Sequence, residues 1–143
     1  MMKSQRTLLK RDESYAIHAL LNIAEKPGTN AAQIAADLSM PPAFMAKVLR
    51  KLVKAGFIES QMGRSGGVQL KIPIEKVSLL KVMEAISGPM ILDTCQTQQR
   101  CATQKRTGHC NLKVVWLQAS LHFREYFDDI KLADLQDKNG SVA

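Results

Sequence analysis

Cys95, Cys101 and Cys110 are the three cysteines of this 143-residue chain, and all fall inside one 16-residue window. Five and then eight residues separate them. An odd count cannot close a self-contained disulfide framework, so the thiols are expected free or as ligands. Clustered thiolates are soft donors that suit zinc or an iron–sulfur cluster, whether 2Fe–2S or 4Fe–4S. Arg100, Lys105 and Arg106 stand between the cysteines, and their charge is expected to favour the ligating thiolate. From Asp93 to His109 the chain is rich in Gln, Thr, Lys and Arg, with almost no apolar periodicity. A structureless loop of that length is unusual in a compact domain unless something organises it.

Two helices must hold such a loop. Ser78 can cap a helix through Ile86, with Leu79, Val82, Met83 and Ile86 facing inward and Gly88-Pro89 ending it. After Cys110 a helix runs to about Tyr126, and Leu112, Val115, Trp116, Ala119, Phe123, Tyr126 and Phe127 mark one stripe. Val114, Leu117 and Leu121 widen it beyond one face. One small domain has little to cover so broad a stripe, whereas the same helix of a second copy would cover it in a homodimer. Ile130, Leu132 and Leu135 suggest a last short helix folding back.

The charge lies elsewhere. The chain carries a formal +7, and residues 1–71 hold eleven Lys/Arg against five acids, while residues 72–143 hold nine against eight. This half reads as three helices and a hairpin. The first spans Ser14 to Ala24, the second is capped by Asn30 and runs through Leu38, and the third runs to about Ala55. Phe57–Met62 and Val68–Ile72 are extended runs around the turn Gly63-Arg64-Ser65-Gly66-Gly67. That order is a winged helix-turn-helix. Lys47, Arg50, Lys51 and Lys54 follow the i, i+3, i+4, i+7 spacing and share a face of the third helix. Ala43 and Ala46 leave room for close approach to a major groove, and Arg64 with Ser65 at the hairpin tip suits a minor groove. The expected partner is double-stranded DNA, and a two-fold dimer would match a palindromic operator.

The expected fold is mostly α. It comprises a winged helix-turn-helix domain (1–74), a linker helix (75–92), the cysteine loop (93–110), a dimerisation helix with a closing helix (111–137) and a flexible tail (138–143). No run approaches the ~18 apolar residues of a membrane helix, and the polar, basic start lacks the apolar core of a signal peptide, so the expectation is a cytoplasmic protein. No Gly-rich phosphate loop or nucleophile elbow is present, and an enzyme is not expected.

Several stretches resemble the IscR/NsrR-type bacterial regulators. They are Tyr15-Ala16-Ile17-His18-Ala19-Leu20-Leu21, Lys54-Ala55-Gly56-Phe57-Ile58, the wing Gly63–Gly67, Val77–Ile86, the three-cysteine loop and Ile130–Leu135. The resemblance covers nearly the whole chain. It implies a dimeric winged-helix transcription factor, a repressor, whose cysteines hold an iron–sulfur cluster responsive to iron, nitric oxide or redox state. The departures are specific. The second cysteine gap is eight residues where five is common, and Ser14 occupies a position held by a carboxylate in some members. The fourth ligand is open among Asp12, Glu13, His18 and His109, or an exogenous thiol or water. Ala46-Lys47 replaces a frequent Glu-Gln pair, Ala43 a serine, and Met62 a wing arginine, with Arg64 two places on. These changes imply a different operator. The alternative is a zinc- or thiol-based winged-helix regulator without iron, in which His18 is a better fourth zinc ligand than His109, because His109 abuts Cys110.

Overall fold

A computed structural model describes residues 4–61, 66–97 and 101–137. The first helix, α1 (Arg11–Glu25), buries Ala16, Ala19, Leu20 and Ile23, the i, i+3, i+4, i+7 row of an inward face. Helix α2 (Ala31–Asp37) is short and needs its cap, and the Asn30 side chain accepts from the Gln33 amide at 2.9 Å. Met40 returns its amide to the Ala35 carbonyl at 2.9 Å, and Ser39 takes a left-handed φ of 52° to make that turn. Pro42 opens α3 (Pro42–Lys54), where the missing amide costs nothing. Met45, Val48, Leu49 and Leu52 of α3 are buried.

The hairpin consists of β1 (Ile58–Ser60) and β2 (Val68–Leu70), antiparallel, with Ile58 opposite Leu70 and Ser60 opposite Val68. The outer edge of β2 is also occupied. Val68 donates to the Thr29 carbonyl at 2.7 Å and accepts from the Gly28 amide at 3.0 Å. The base of the wing is thereby stitched to the α1–α2 turn. Gly67 permits that approach, because a Cβ there would stand 2.0 Å from the Gly28 oxygen.

Helix α4 (Leu79–Ser87) is capped by Ser78, whose hydroxyl accepts from the Lys81 amide at 3.2 Å. Its Val82 and Ile86 join the same core as Ala16, Ile34 and Leu52. The cysteine region is more ordered than its composition suggests. Thr94–Gln96 form a 3₁₀ turn, and α5 (Ala102–Thr107) is a short helix. Local hydrogen bonds from Asp93 and Thr107 supply what apolar periodicity does not. Helix α6 (Asn111–Asp129) follows, with Ser120 as its one buried residue.

The chain then turns back. Leu132–Leu135 form a 3₁₀ turn, in agreement with the expected short closing element. Leu79 donates to the Ile130 carbonyl at 2.9 Å, Leu132 donates to the Val77 carbonyl at 2.8 Å, and Leu132 is fully buried in the common core.

Two consequences are measurable. The Asp37 carboxylate accepts from Asn22 (3.1 Å), Lys26 (2.9 Å) and Gln33 (3.0 Å), tying α2 to α1. These bonds hold its pKa down from 3.8 to about 2. Because the folded value is the lower one, this contribution is complete above pH 4 and lost as pH falls towards 2. Asp37→Asn should therefore flatten the acid limb of stability between those values in urea unfolding, with little change in slope at neutral pH. Gly67→Ala should lower stability by about 1–3 kcal/mol, the usual penalty of overpacking, because backbone rather than a flexible side chain must give way. A thermal melt showing no loss would detach the wing base from the α1–α2 turn.

Candidate nucleic-acid interface and cysteine loop

The inner face of α3 packs on the core, and Phe44 adds an edge-on contact with Tyr15 of α1, ring centroids 5.6 Å apart. That fixes the helix about its axis and points the opposite face outward. Ala43, Lys47, Arg50 and Lys54 are exposed there. Lys51 differs from its expected neighbours, because it is half-buried and pairs with Asp12 of α1 at 3.9 Å. One cation of the expected four is thus turned toward the domain itself.

Between α3 and the wing lies an open trough lined by Ala46, Arg50, Val53 and Lys54 on one side and Gln61 and Gly66 on the other. Val53 and Gln61 were passed over in the sequence reading. Their signal was available, since Ala46, Arg50, Val53 and Lys54 recur at i, i+4, i+7 and i+8. Across the hairpin, Gln61 donates to Gln69 (2.7 Å) and Gln69 to Glu59 (2.8 Å), a polar ladder that stiffens the strands. Arg64 and Ser65, the expected wing contacts, lie outside the described residues. A cationic helix beside a stiff hairpin can meet phosphates and base edges together.

The three thiols are free and half-buried. Cys95 sits in the 3₁₀ turn, Cys101 at the N-cap of α5 and Cys110 at the N-cap of α6. The Gln104 and Thr103 amides lower the pKa of Cys101. Burial, then the Asp93 carboxylate, raise that of Cys95, and the nearby Cys110 thiol adds to the rise. Lys113, in the first turn of α6, draws both down. It is a cation that the sequence reading did not name. Lys105 and Arg106 are exposed on α5, and Arg100 lies outside the described residues.

Among the described residues no three His, Cys, Asp or Glu side chains converge on one point. The donor set suits a soft metal by type, and the three thiols are free. The fourth-ligand candidates separate. Asp12 is engaged with Lys51, Glu13 is buried beside α4, and His18 is exposed on α1. His109 is exposed, and its Nδ1 donates to the Thr107 carbonyl at 3.2 Å. The Cys95 turn is tied to α6 by Gln96. Its Oε1 accepts from the Leu92 amide (2.8 Å), the Asp93 amide (3.1 Å) and the Ser120 hydroxyl (3.1 Å).

Along α6, Leu112, Val115 and Phe123 of the expected stripe are exposed, at 55%, 52% and 39%, and Trp116 and Ala119 are half-buried. Among the described residues no helix is long and apolar enough to cross a membrane.

Comparison with known proteins agrees with this architecture. IscR of T. potens superposes with a TM-score of 0.72 at 18% identity, covering 94% of this chain and 93% of that one. CymR, the global cysteine regulator of B. subtilis, gives 0.69 at 20% identity over 94% and 96%. At such identity these two likenesses concern the fold. In sequence, a Haemophilus influenzae protein named as an HTH-type transcriptional regulator is 27% identical over 127 residues, 87% of this chain and 83% of that protein. An rrf2-like regulator of Rhodobacter capsulatus is 26% identical over 137 residues, 90% and 91% of the two chains. The model of the Rrf2 family, described as iron-dependent transcriptional regulators, matches residues 9–138. The chain belongs to the Rrf2 family of transcriptional regulators.

Proposed function

We propose that this protein is a homodimeric DNA-binding repressor whose affinity for a palindromic operator is set by an iron–sulfur cluster on the cysteine loop. One observation carries this reading: the cysteines occupy the joints of the loop. Cys101 and Cys110 are the N-caps of α5 and α6, and the Cys95 turn is bound through Gln96 to Ser120. Whatever holds the three thiols therefore acts on the start of the dimerisation helix.

Cys95, Cys101 and Cys110 would be the cysteine ligands, with His109 as the fourth. Metal-bound imidazoles usually donate their second nitrogen to a carbonyl, and the Nδ1 bond to Thr107 already leaves Nε2 as the free atom. Neighbouring residues 109 and 110 would be awkward as two ligands of a single zinc ion. When bound, such a cluster supplies a centre sensitive to iron supply, nitric oxide or redox state. The protein's part is mechanical. Loop rearrangement shifts the start of α6, the α6 stripe of Leu112, Val115, Trp116, Ala119 and Phe123 meets its partner copy, and the two α3 helices change spacing across the operator.

A second reading, a thiol switch without iron, is favoured by the free thiols and the lowered pKa of Cys101. The relative named as a cysteine regulator gives it a precedent of fold.

Anaerobic purification separates the two. A brown protein with bound iron and sulfide is expected, and Cys→Ser at any one of the three positions should abolish the colour. A protein that stays colourless after reconstitution removes iron and leaves the thiol switch. On the DNA side, Arg50→Ala and Lys54→Ala should each weaken duplex binding and reduce the salt slope by about one. Lys51→Ala should do less, because its ammonium already faces Asp12. Unchanged affinity in the first two variants would take α3 out of the interface.

A further inference from the structure

One face of the hairpin carries a hydrogen-bond relay with a fixed direction. Glu59, Gln61 and Gln69 share that face, because Glu59 stands opposite Gln69 and Gln61 follows Glu59 by two residues. Gln61 Nε2 donates to Gln69 Oε1 at 2.7 Å, and Gln69 Nε2 donates to Glu59 Oε1 at 2.8 Å. A primary amide can ordinarily turn over and exchange its donor and acceptor ends. Here the carboxylate decides, because it can only accept. Gln69 turns its NH2 to Glu59 and its oxygen to Gln61, and Gln61 answers with its own NH2. The relay therefore has one polarity and delivers Gln61 Oε1 at its far end. It also gives Glu59 a role, since a carboxylate is otherwise unfavourable on a hairpin that approaches a polyanion.

Gln61 is exposed just past β1, and among the described residues no donor meets its Oε1. Its backbone amide donates to the Gly67 carbonyl at 2.7 Å, so the side chain starts from a fixed point. The residue borders the trough shared with Arg50 and Lys54 of α3. With α3 in a major groove, the hairpin beside it reaches the neighbouring minor groove. The base pairs differ sharply there. A·T pairs show only the acceptors adenine N3 and thymine O2, and the guanine N2 amino group is the one donor. An amide oxygen held outward finds a partner over G·C and repulsion over A·T.

We propose that Gln61 is a specificity-determining residue of the wing, an acceptor for the minor-groove amino group of a guanine, with Glu59 as its positioning residue acting through Gln69. The inference rests on the DNA-binding reading above and adds a base preference to it.

Duplexes recovered from a randomised pool by the anaerobically purified full-length protein supply the probe. Each guanine of the recovered site is replaced in turn by inosine, which lacks the N2 amino group and keeps the major-groove edge of guanine. One guanine per half-site should lose about fivefold in affinity on this change, the worth of one hydrogen bond. Gln61→Ala should abolish the guanine–inosine difference at that position. Glu59→Gln should shrink it, because a neutral amide lets the relay turn over, even as loss of the negative charge raises affinity for every duplex. A recovered site with no inosine-sensitive guanine, a difference that survives Gln61→Ala, or an unchanged ratio in Glu59→Gln would each overturn the proposal and leave DNA binding standing. Failure to recover any duplex would remove the DNA-binding reading and this inference with it. Should Gln61→Ala fail to fold, Gln61→Ser, whose side chain is too short for the contact, serves in its place.

Discussion

The structure depends on a joint between Ser78 and the chain's return after α6. Ser78 is fully buried and acts twice, accepting from the Lys81 amide to cap α4 and donating to Asp128 at 2.7 Å. Two backbone bonds pair residues 77–79 with 130–132, and Leu132 fills the core beside them. A hydrogen bond to a charged group contributes roughly 1.5–3 kcal/mol, and full burial of a leucine a similar amount. Helix α6 places only Ser120 in the interior of its own protomer. Isolated helices of its length are marginal in water, so α6 relies on this joint together with its packing on α4 and the Cys95 turn. The same joint makes one body of the winged half and the long helix.

That arrangement treats the two ends of α6 differently. The C-terminal end is fixed by Asp128, Leu132 and the Arg124–Glu84 pair. The N-terminal end begins at Cys110, and the polar hub of Gln96 with Ser120 holds the middle of the helix. Coupling between sites requires an element with two arrangements that both sites bias. Among the described residues, the stretch from Gly88 to Cys110 contributes no side chain to the main core.

The sequence was most legible where apolar spacing is regular. The inward residues of α1 to α4 recur at three and four, and the caps Asn30 and Ser78 stand where the periodicity begins, so these helices could be placed from residues alone. Features that depend on contacts far apart in sequence were illegible. No local pattern shows that the serine capping α4 also receives a carboxylate fifty residues later. An acid in the first turn of a helix reads as a favourable dipole partner. Glu13 is instead buried, because Leu8, Leu9 and the end of α4 meet over it. Helix α5, between Cys101 and Cys110, escaped because its six residues hold fewer than two turns, too few for a period. Lys51 and Lys113 show the same limit for charge. Helical spacing assigns a face, and only packing reveals that Lys51 meets Asp12 and that Lys113 stands by the thiols.

The exposed surface of α6 completes the argument for a partner. Leu112, Val115, Leu121 and Tyr126 are all more than half exposed, and they sit on a helix that also shows Val114 and Leu117 to solvent. Scattered apolar residues on a surface need no explanation, but on α6 they recur on both flanks of the helix, Leu112, Val115 and Tyr126 on one and Val114, Leu117 and Leu121 on the other. Under the proposed function, a second α6 in a two-fold pairing would cover the Leu112, Val115 and Tyr126 flank. A change in thiol chemistry would then alter the dimer contact and the separation of the α3 helices in one movement, because the Ser78 joint holds each α6 to its own winged domain.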